Sequence, residues 1–215
     1  MAVAFCGGYL DIFTYLHYRT LVAAQTGNII FMIADIGNVQ AATLNLRCLS
    51  LFFFIFGVIL GALIKSAGKT SAWRIYTLFP LLISSLLISL ISNLGYHAQL
   101  LSVAALAAST GIMTTTFANI ESYHFNMMFT TGNIRNATAG WTDYFTSQDK
   151  QALRKGMDYT LIVAAFFIGA LLSKYLYTRL NQASLLLVFF VLIGIAVAYT
   201  VLVKRQSLEQ SDISD

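Results

Sequence analysis

Two carboxylates and two short triplets are the residues in this 215-residue chain whose types and spacing could do chemistry. Asp11 and Glu121 each lie on the stretch before a Thr-Gly-Asn triplet, within Gln25-Thr26-Gly27-Asn28-Ile29 and Thr130-Thr131-Gly132-Asn133-Ile134. Glycine reaches backbone conformations closed to other residues, while Thr and Asn side chains bond nearby amides, so each triplet reads as a cap for a helix restarting at Ile29 or Ile134. Free amides at such an N-terminus attract anions. A carboxylate within a bilayer turns to an interior cavity, because lipid exposure costs about 2.5–3.5 kcal/mol. Asp11, Gln25, Thr26, Gly27, Asn28, Asn119, Glu121, Thr131, Gly132 and Asn133 are therefore the candidate binding residues, with Asp11 or Glu121 as a proton-coupling carboxylate or cation ligand. The competing reading is structural: the triplets only stop and restart helices, Glu121 ends a helix at the interface, and Asp11 pairs with Arg19 or caps backbone.

Weaker candidates surround these. His17 and His124 flank the triplets, but tyrosines accompany both, as at membrane interfaces. Thr114-Thr115-Thr116 with Asn119 would line a polar path or bond neighbouring helices. Arg135 would pair with Glu121 or an anion, although its counterpart in the first half is apolar Ile30. There is no metal-ligand spacing, no phosphate loop ending in Lys and no nucleophile elbow, so no enzyme, metal or cofactor is expected. Cys6 and Cys48 read as small apolar side chains.

The elements that must position these groups are membrane helices. The hydrophobic fraction is 58 percent and the charged fraction 10 percent, against about a quarter charged in soluble domains. Apolar blocks at 2–18, 46–64, 75–94, 99–120, 157–177 and 183–203 suit spans of about 20 residues. The pieces 21–36 and 125–141, cut by the triplets, read as broken or re-entrant. Pro80 falls near the start of its span, 142–155 reads as a polar loop, and the first apolar stretch, without a basic leader and with Asp11, His17 and Arg19 beyond its start, does not read as a cleavable signal peptide. Thr26-Gly27-Asn28 matches Thr131-Gly132-Asn133, and Gly61-Ala62-Leu63 matches Gly169-Ala170-Leu171, which divides the chain into repeats at 1–96 and 97–203 and a polar, disordered cytoplasmic tail at 204–215.

Charge tests this topology. Six spans place Lys65, Lys69, Arg74, Arg135, Lys150, Arg154, Lys155, Lys204 and Arg205 on one side and Arg19, Arg47, Lys174 and Arg179 on the other, which puts both termini in the cytoplasm. Eight spans nearly abolish the bias. Three spans per repeat make the second enter the membrane inverted, the plan of many secondary transporters, and the two triplets would then meet from opposite faces.

Gly7-Gly8-Tyr9-Leu10-Asp11, Gln25-Thr26-Gly27-Asn28, the run from Gly111-Ile112-Met113 to Asn119, and Thr130-Thr131-Gly132-Asn133 resemble the YoaK-like bacterial membrane proteins (UPF0700-type), a family with a domain of unknown function. The resemblance covers nearly the whole chain and implies an inner-membrane protein of about six spans, without a substrate. The chain begins almost at the first motif, so a short first span is expected. The expectation is thus an all-α polytopic membrane protein of two inverted three-helix repeats, a homodimer in the lipid bilayer. It would act as a secondary transporter or channel-like permease for a small polar or anionic solute, with carboxylate protonation as the coupling step. The alternative is a non-transporting scaffold or a lipid-site enzyme.

Overall fold

Backbone groups that cannot bond water must bond within the chain, and this sequence satisfies them almost entirely in helices. A computed structural model describes residues 1–37, 41–67, 73–91, 94–116, 119–120, 123–124 and 130–212, without the side chains of 73–76, 119–120, 123–124 and 202–212. In order come α1 (Ala2–Tyr18), α2 (Gln25–Ala34), α3 (Ala41–Ala67), α4 (Trp73–Ile91) and α5 (Tyr96–Thr116). A two-residue antiparallel pair follows, β1 (Asn119–Ile120) with β2 (Tyr123–His124). Then come α6 (Thr130–Ser147), α7 (Lys150–Leu180), a 3-10 turn (Asn181–Leu185) and α8 (Leu186–Asp212).

Among the described residues, three stretches are long and apolar enough to cross a bilayer: Ala41–Ala67, Tyr96–Thr116 and Lys150–Val201, with Thr77–Ile91 a shorter apolar helix. The 52 residues of Lys150–Val201 would reach roughly 78 Å as one helix. That is more than twice the ~30 Å hydrocarbon core. The stretch breaks at Asn181, whose φ of 48° ends α7, so it holds two helices. Phe52, Ile55, Phe56 and Ile59 on α3, Phe167, Ile168 and Leu171 on α7, and Phe190 and Val197 on α8 are exposed. A surface this apolar suits hydrocarbon, and the chain has the build of a helical membrane protein.

Helices α1 and α5 supply much of the interior, with Tyr9, Leu10, Phe13, Val103, Leu106 and Met113 sealed from solvent. Each crosses a partner at backbone contact. On α3, a side chain at Gly57 would strike the Ala108 carbonyl, and one at Gly111 the Phe54 carbonyl. On α7, a side chain at Gly169 would strike the Phe5 carbonyl, and one at Gly8 the Phe166 carbonyl. The two crossings use matching positions: Phe5 and Gly8 precede Ala108 and Gly111 by 103 residues, and Phe54 and Gly57 precede Phe166 and Gly169 by 112, so the contacts pair Gly169 with Gly57, whereas the sequence match pairs it with Gly61.

Direction follows from the same contacts. One turn beyond Gly57, Gly61 faces Ile112 and Thr115, so α3 and α5 run parallel. Phe13 and His17 reach Tyr177, so α1 and α7 also run parallel. The start of α3 lies at the end of α1, where Arg47 Nε donates to the Arg19 carbonyl at 3.2 Å and Ser50 Oγ to the Leu21 carbonyl at 2.6 Å. The α1/α7 pair therefore runs opposite to the α3/α5 pair.

Several sequence expectations change here. The polar loop expected at 142–155 is a two-residue turn, Gln148-Asp149, because Asp149 caps α7 by accepting from the Gln151 and Ala152 amides. Asp149→Ala is expected to cost about 1 kcal/mol locally, read as faster amide exchange in the first turn of α7. Pro80 sits inside α4, two turns from its start, and leaves the carbonyl four residues earlier without its helical donor. The tail expected to be disordered continues α8 as far as Asp212.

Candidate functional site

The polar centre of the first half is the non-helical segment 20–24 between α1 and α2. Arg19 turns the chain out of α1 in the left-handed conformation, φ 57°, and α2 begins only at Gln25. The first turn of α2 serves the carbonyls of Ala23 and Ala24, but the other buried amides and carbonyls of this segment lie outside any helix and are met by side chains.

Asp11, buried on α1, takes the amides. Its Oδ1 accepts from Val22 N at 3.1 Å, Ala23 N at 2.8 Å and Ala24 N at 3.3 Å, and its Oδ2 from Ala24 N at 3.1 Å. Asn28 takes the neighbouring residue from the other side: Oδ1 accepts from Leu21 N at 2.9 Å and the Thr20 hydroxyl at 3.3 Å, while Nδ2 donates to the Leu21 carbonyl at 2.7 Å. Gln25 Oε1 accepts from Asn28 Nδ2 at 2.8 Å, and its Nε2 donates to the Val22 carbonyl and to Ser50 Oγ, both at 3.0 Å. Thr110 on α5 donates to the same Val22 carbonyl at 2.6 Å. Three helices besides α2 thus hold one short segment.

The structure brings Asp11, Gln25 and Asn28 together, as expected of a site, but with a different local role. The triplet does not cap a helix restarting at Ile29, since Gln25 to Asn28 form the first turn of α2 and Ala24 precedes it without a side-chain cap. The carboxylate from α1 replaces the local cap, because a buried cluster of donors is met best by an anion that is already there. Asp11 is bonded to backbone rather than to Arg19. Thr26 is exposed, and Gly27 passes close to the Leu21 side chain.

The second triplet likewise starts α6 rather than preceding it. Asn133 is buried and engaged, whereas Thr131 and Gly132 are exposed, and a side chain at Gly132 would meet nothing within 4 Å. Glu121 and the side chains of Asn119 and His124 lie outside the described residues. Helix α2 packs on α3 and α6 on α7, with no α2–α6 interface among the described residues. The two triplets are thus held in separate clusters.

The remaining candidates fall into structural roles. Thr114 and Thr116 bond carbonyls of their own helix, and Thr115 also reaches the Val58 carbonyl on α3. His17 Nδ1 meets the Tyr177 hydroxyl at 2.9 Å, and its Nε2 meets Gln182 Nε2 at 3.2 Å, tying the ends of α1 and α7. Arg135 is exposed. Among the described residues no group of three His, Cys, Asp or Glu could hold a metal. Ser50 and the Arg47–Asp35 ion pair, with Arg47 over the Phe31 ring at 5.2 Å, were not singled out by sequence. A lone hydroxyl and a lone arginine inside an apolar run were their only signals.

A family model described as Protein of unknown function (DUF1275) matches residues 1–198. No curated protein and no solved structure matches the chain.

Proposed function

The chain belongs to the DUF1275 family, and from the geometry of its own residues we propose that it is a small secondary transporter or channel-like permease for a small polar or anionic solute. The observation that carries this reading is the segment 20–24, a break in helical backbone between two apolar helices whose amides converge on a buried carboxylate. Broken helices of this kind build the sites of many secondary transporters, and they are also tolerated where protein alone buries the backbone. The three amides have the chemistry of an anion seat, and Asp11 occupies it.

The architecture we propose around it is six passes in two inverted repeats. Support comes from the matching crossings of α3 with α5 and α1 with α7, and from their opposed directions. Ten residues give α2 a length of about 15 Å, half the hydrocarbon core, which suits a re-entrant piece. Basic residues gather at both ends of the bundle: Arg19, Arg47, Lys174 and Arg179 at the end where α1 and α7 finish, and Lys65, Lys150, Arg154 and Lys155 at the other. The nine-to-four division of the whole sequence, which also counts Lys69, Arg74, Arg135, Lys204 and Arg205, favours cytoplasmic termini in a bacterial inner membrane. The YoaK-like resemblance is compatible with it, and a homodimer would enlarge so small a bundle. Proton coupling would fall to Asp11 or Glu121 as one repeat rocks against the other.

One observation favours the second reading, a scaffold without transport: Asn28 spends its amide oxygen and nitrogen on the chain itself. Proteoliposome flux decides. Asn28→Ala and Asn133→Ala that remain folded and lose flux at least tenfold would support transport, whereas variants that only unfold favour the scaffold. A lipid-site enzyme would instead show turnover in detergent without two compartments.

A further inference from the structure

A cleft of about 540 Å³ lies between α3, α4 and α5, far from segment 20–24 in chemistry, with almost wholly apolar walls. Its walls run along Pro80–Ile91 of α4 and Leu101–Ile112 of α5, each about 16 Å of helix. That is half of a ~30 Å hydrocarbon core, the depth of one leaflet. The rim residues Ile83, Leu87 and Leu101 are among the most exposed apolar side chains of these helices, so the cleft opens toward the lipid-facing surface.

The polar atoms inside make no demand on a ligand. Ser84, Ser102 and Ser109 donate to the carbonyls of Leu81, Ala98 and Ala105 at 3.1, 2.7 and 2.7 Å. An occupant with a polar group would find nothing unsatisfied there, which selects a hydrocarbon chain.

The matching crossing carries bulkier side chains at the corresponding positions of α1. By the 103-residue correspondence, Phe5 and Tyr9 of α1 stand where α5 has Ala108 and Ile112. Phe5 packs on the core beside Tyr9, their ring centroids 6.1 Å apart. On α5 the small residues Ala105, Ala108 and Ser109 leave the volume open. We propose that this cleft is a site for one acyl chain of a membrane lipid, seated in the leaflet nearer the α4–α5 turn. The proposal stands apart from the transport reading, since it uses none of the residues of segment 20–24.

The test is photolabelling of the full chain in nanodiscs of phosphatidylethanolamine and phosphatidylglycerol that carry a trace of phospholipid with a mid-chain diazirine. Label is expected to concentrate on Ile83–Ile91 and Leu101–Ile112 over the open Phe167–Leu171 face of α7. Ala105→Phe is expected to cut it about tenfold, the effect of losing ~1.4 kcal/mol of binding. Label spread evenly over all lipid-facing helices would overturn the proposal, as would undiminished label in a folded Ala105→Phe protein. Protection of both cleft peptides in the wild-type chain would point to a second copy as the occupant and overturn it too. Should Ala105→Phe fail to fold, the wild-type map decides alone.

Discussion

Asp11→Ala is expected to destabilise the protein by on the order of 3–5 kcal/mol, the usual cost of removing one partner from a buried charged contact. Three amides, of Val22, Ala23 and Ala24, lose their acceptor together, and each orphaned buried donor costs about 1–3 kcal/mol, with some relief as the segment relaxes. Thermal unfolding in detergent measures the loss. Asp11→Asn separates structure from coupling. Three of the four bonds fall on Oδ1, which the carboxamide keeps, so most of the stability should remain. If Asp11 also carries the coupled proton, Asp11→Asn will be folded but will no longer drive flux with a pH gradient. Gradient-driven flux equal to wild type would leave Asp11 a purely structural residue.

Valine at Gly57 or Gly169 is expected to cost about 3 kcal/mol or more, at or above the upper end of overpacking effects. The obstacle in each case is a helix backbone, the Ala108 or Phe5 carbonyl, which cannot rotate away as a side chain would. Helices in lipid associate through close packing and hydrogen bonds rather than water exclusion, so a forced separation forfeits most of what joins them. Because the two crossings use matching positions, the two variants should lose similar stability and monodispersity in detergent. Gly132→Ala is the contrast. Nothing lies within 4 Å of the added methyl, and alanine in a helix gains up to about 1 kcal/mol over glycine. A drop in flux without a drop in stability at Gly132 would therefore report solute contact.

The apolar helices were legible because apolar runs of sufficient length admit few folds: the 46–64 block widened into Ala41–Ala67 but stayed one helix. The close approach at Gly57 and Gly61 has a local signature of its own, a four-residue spacing of small residues. What failed was any inference that drew a residue's partners from its near neighbours. Thr-Gly-Asn looks like a cap when only adjacent amides are considered, yet those amides belong to Asp11, from a helix 11 to 13 residues back, and the Val22 carbonyl to Thr110, 88 residues on. The segment 142–155 looked like a loop because polar sequence between spans usually is one. Here α6 and α7 continue as polar helices, and Asp149 was the overlooked start signal. Partners that the fold brings from another helix leave no local trace in the sequence.

The central claim is that the two halves enter the membrane from opposite faces, so that the turns after α2 and after α6 lie on opposite sides. Ile36 and Gln148 are the exposed residues at those turns. In a chain carrying Cys6→Ala and Cys48→Ser, Ile36→Cys and Gln148→Cys can each be labelled in intact bacterial cells with a membrane-impermeant thiol reagent. Inverted halves predict that Ile36→Cys reacts in intact cells and that Gln148→Cys reacts only once the membrane is opened. Reaction of both from the same side would contradict the inverted arrangement, and with it the transport mechanism built on it.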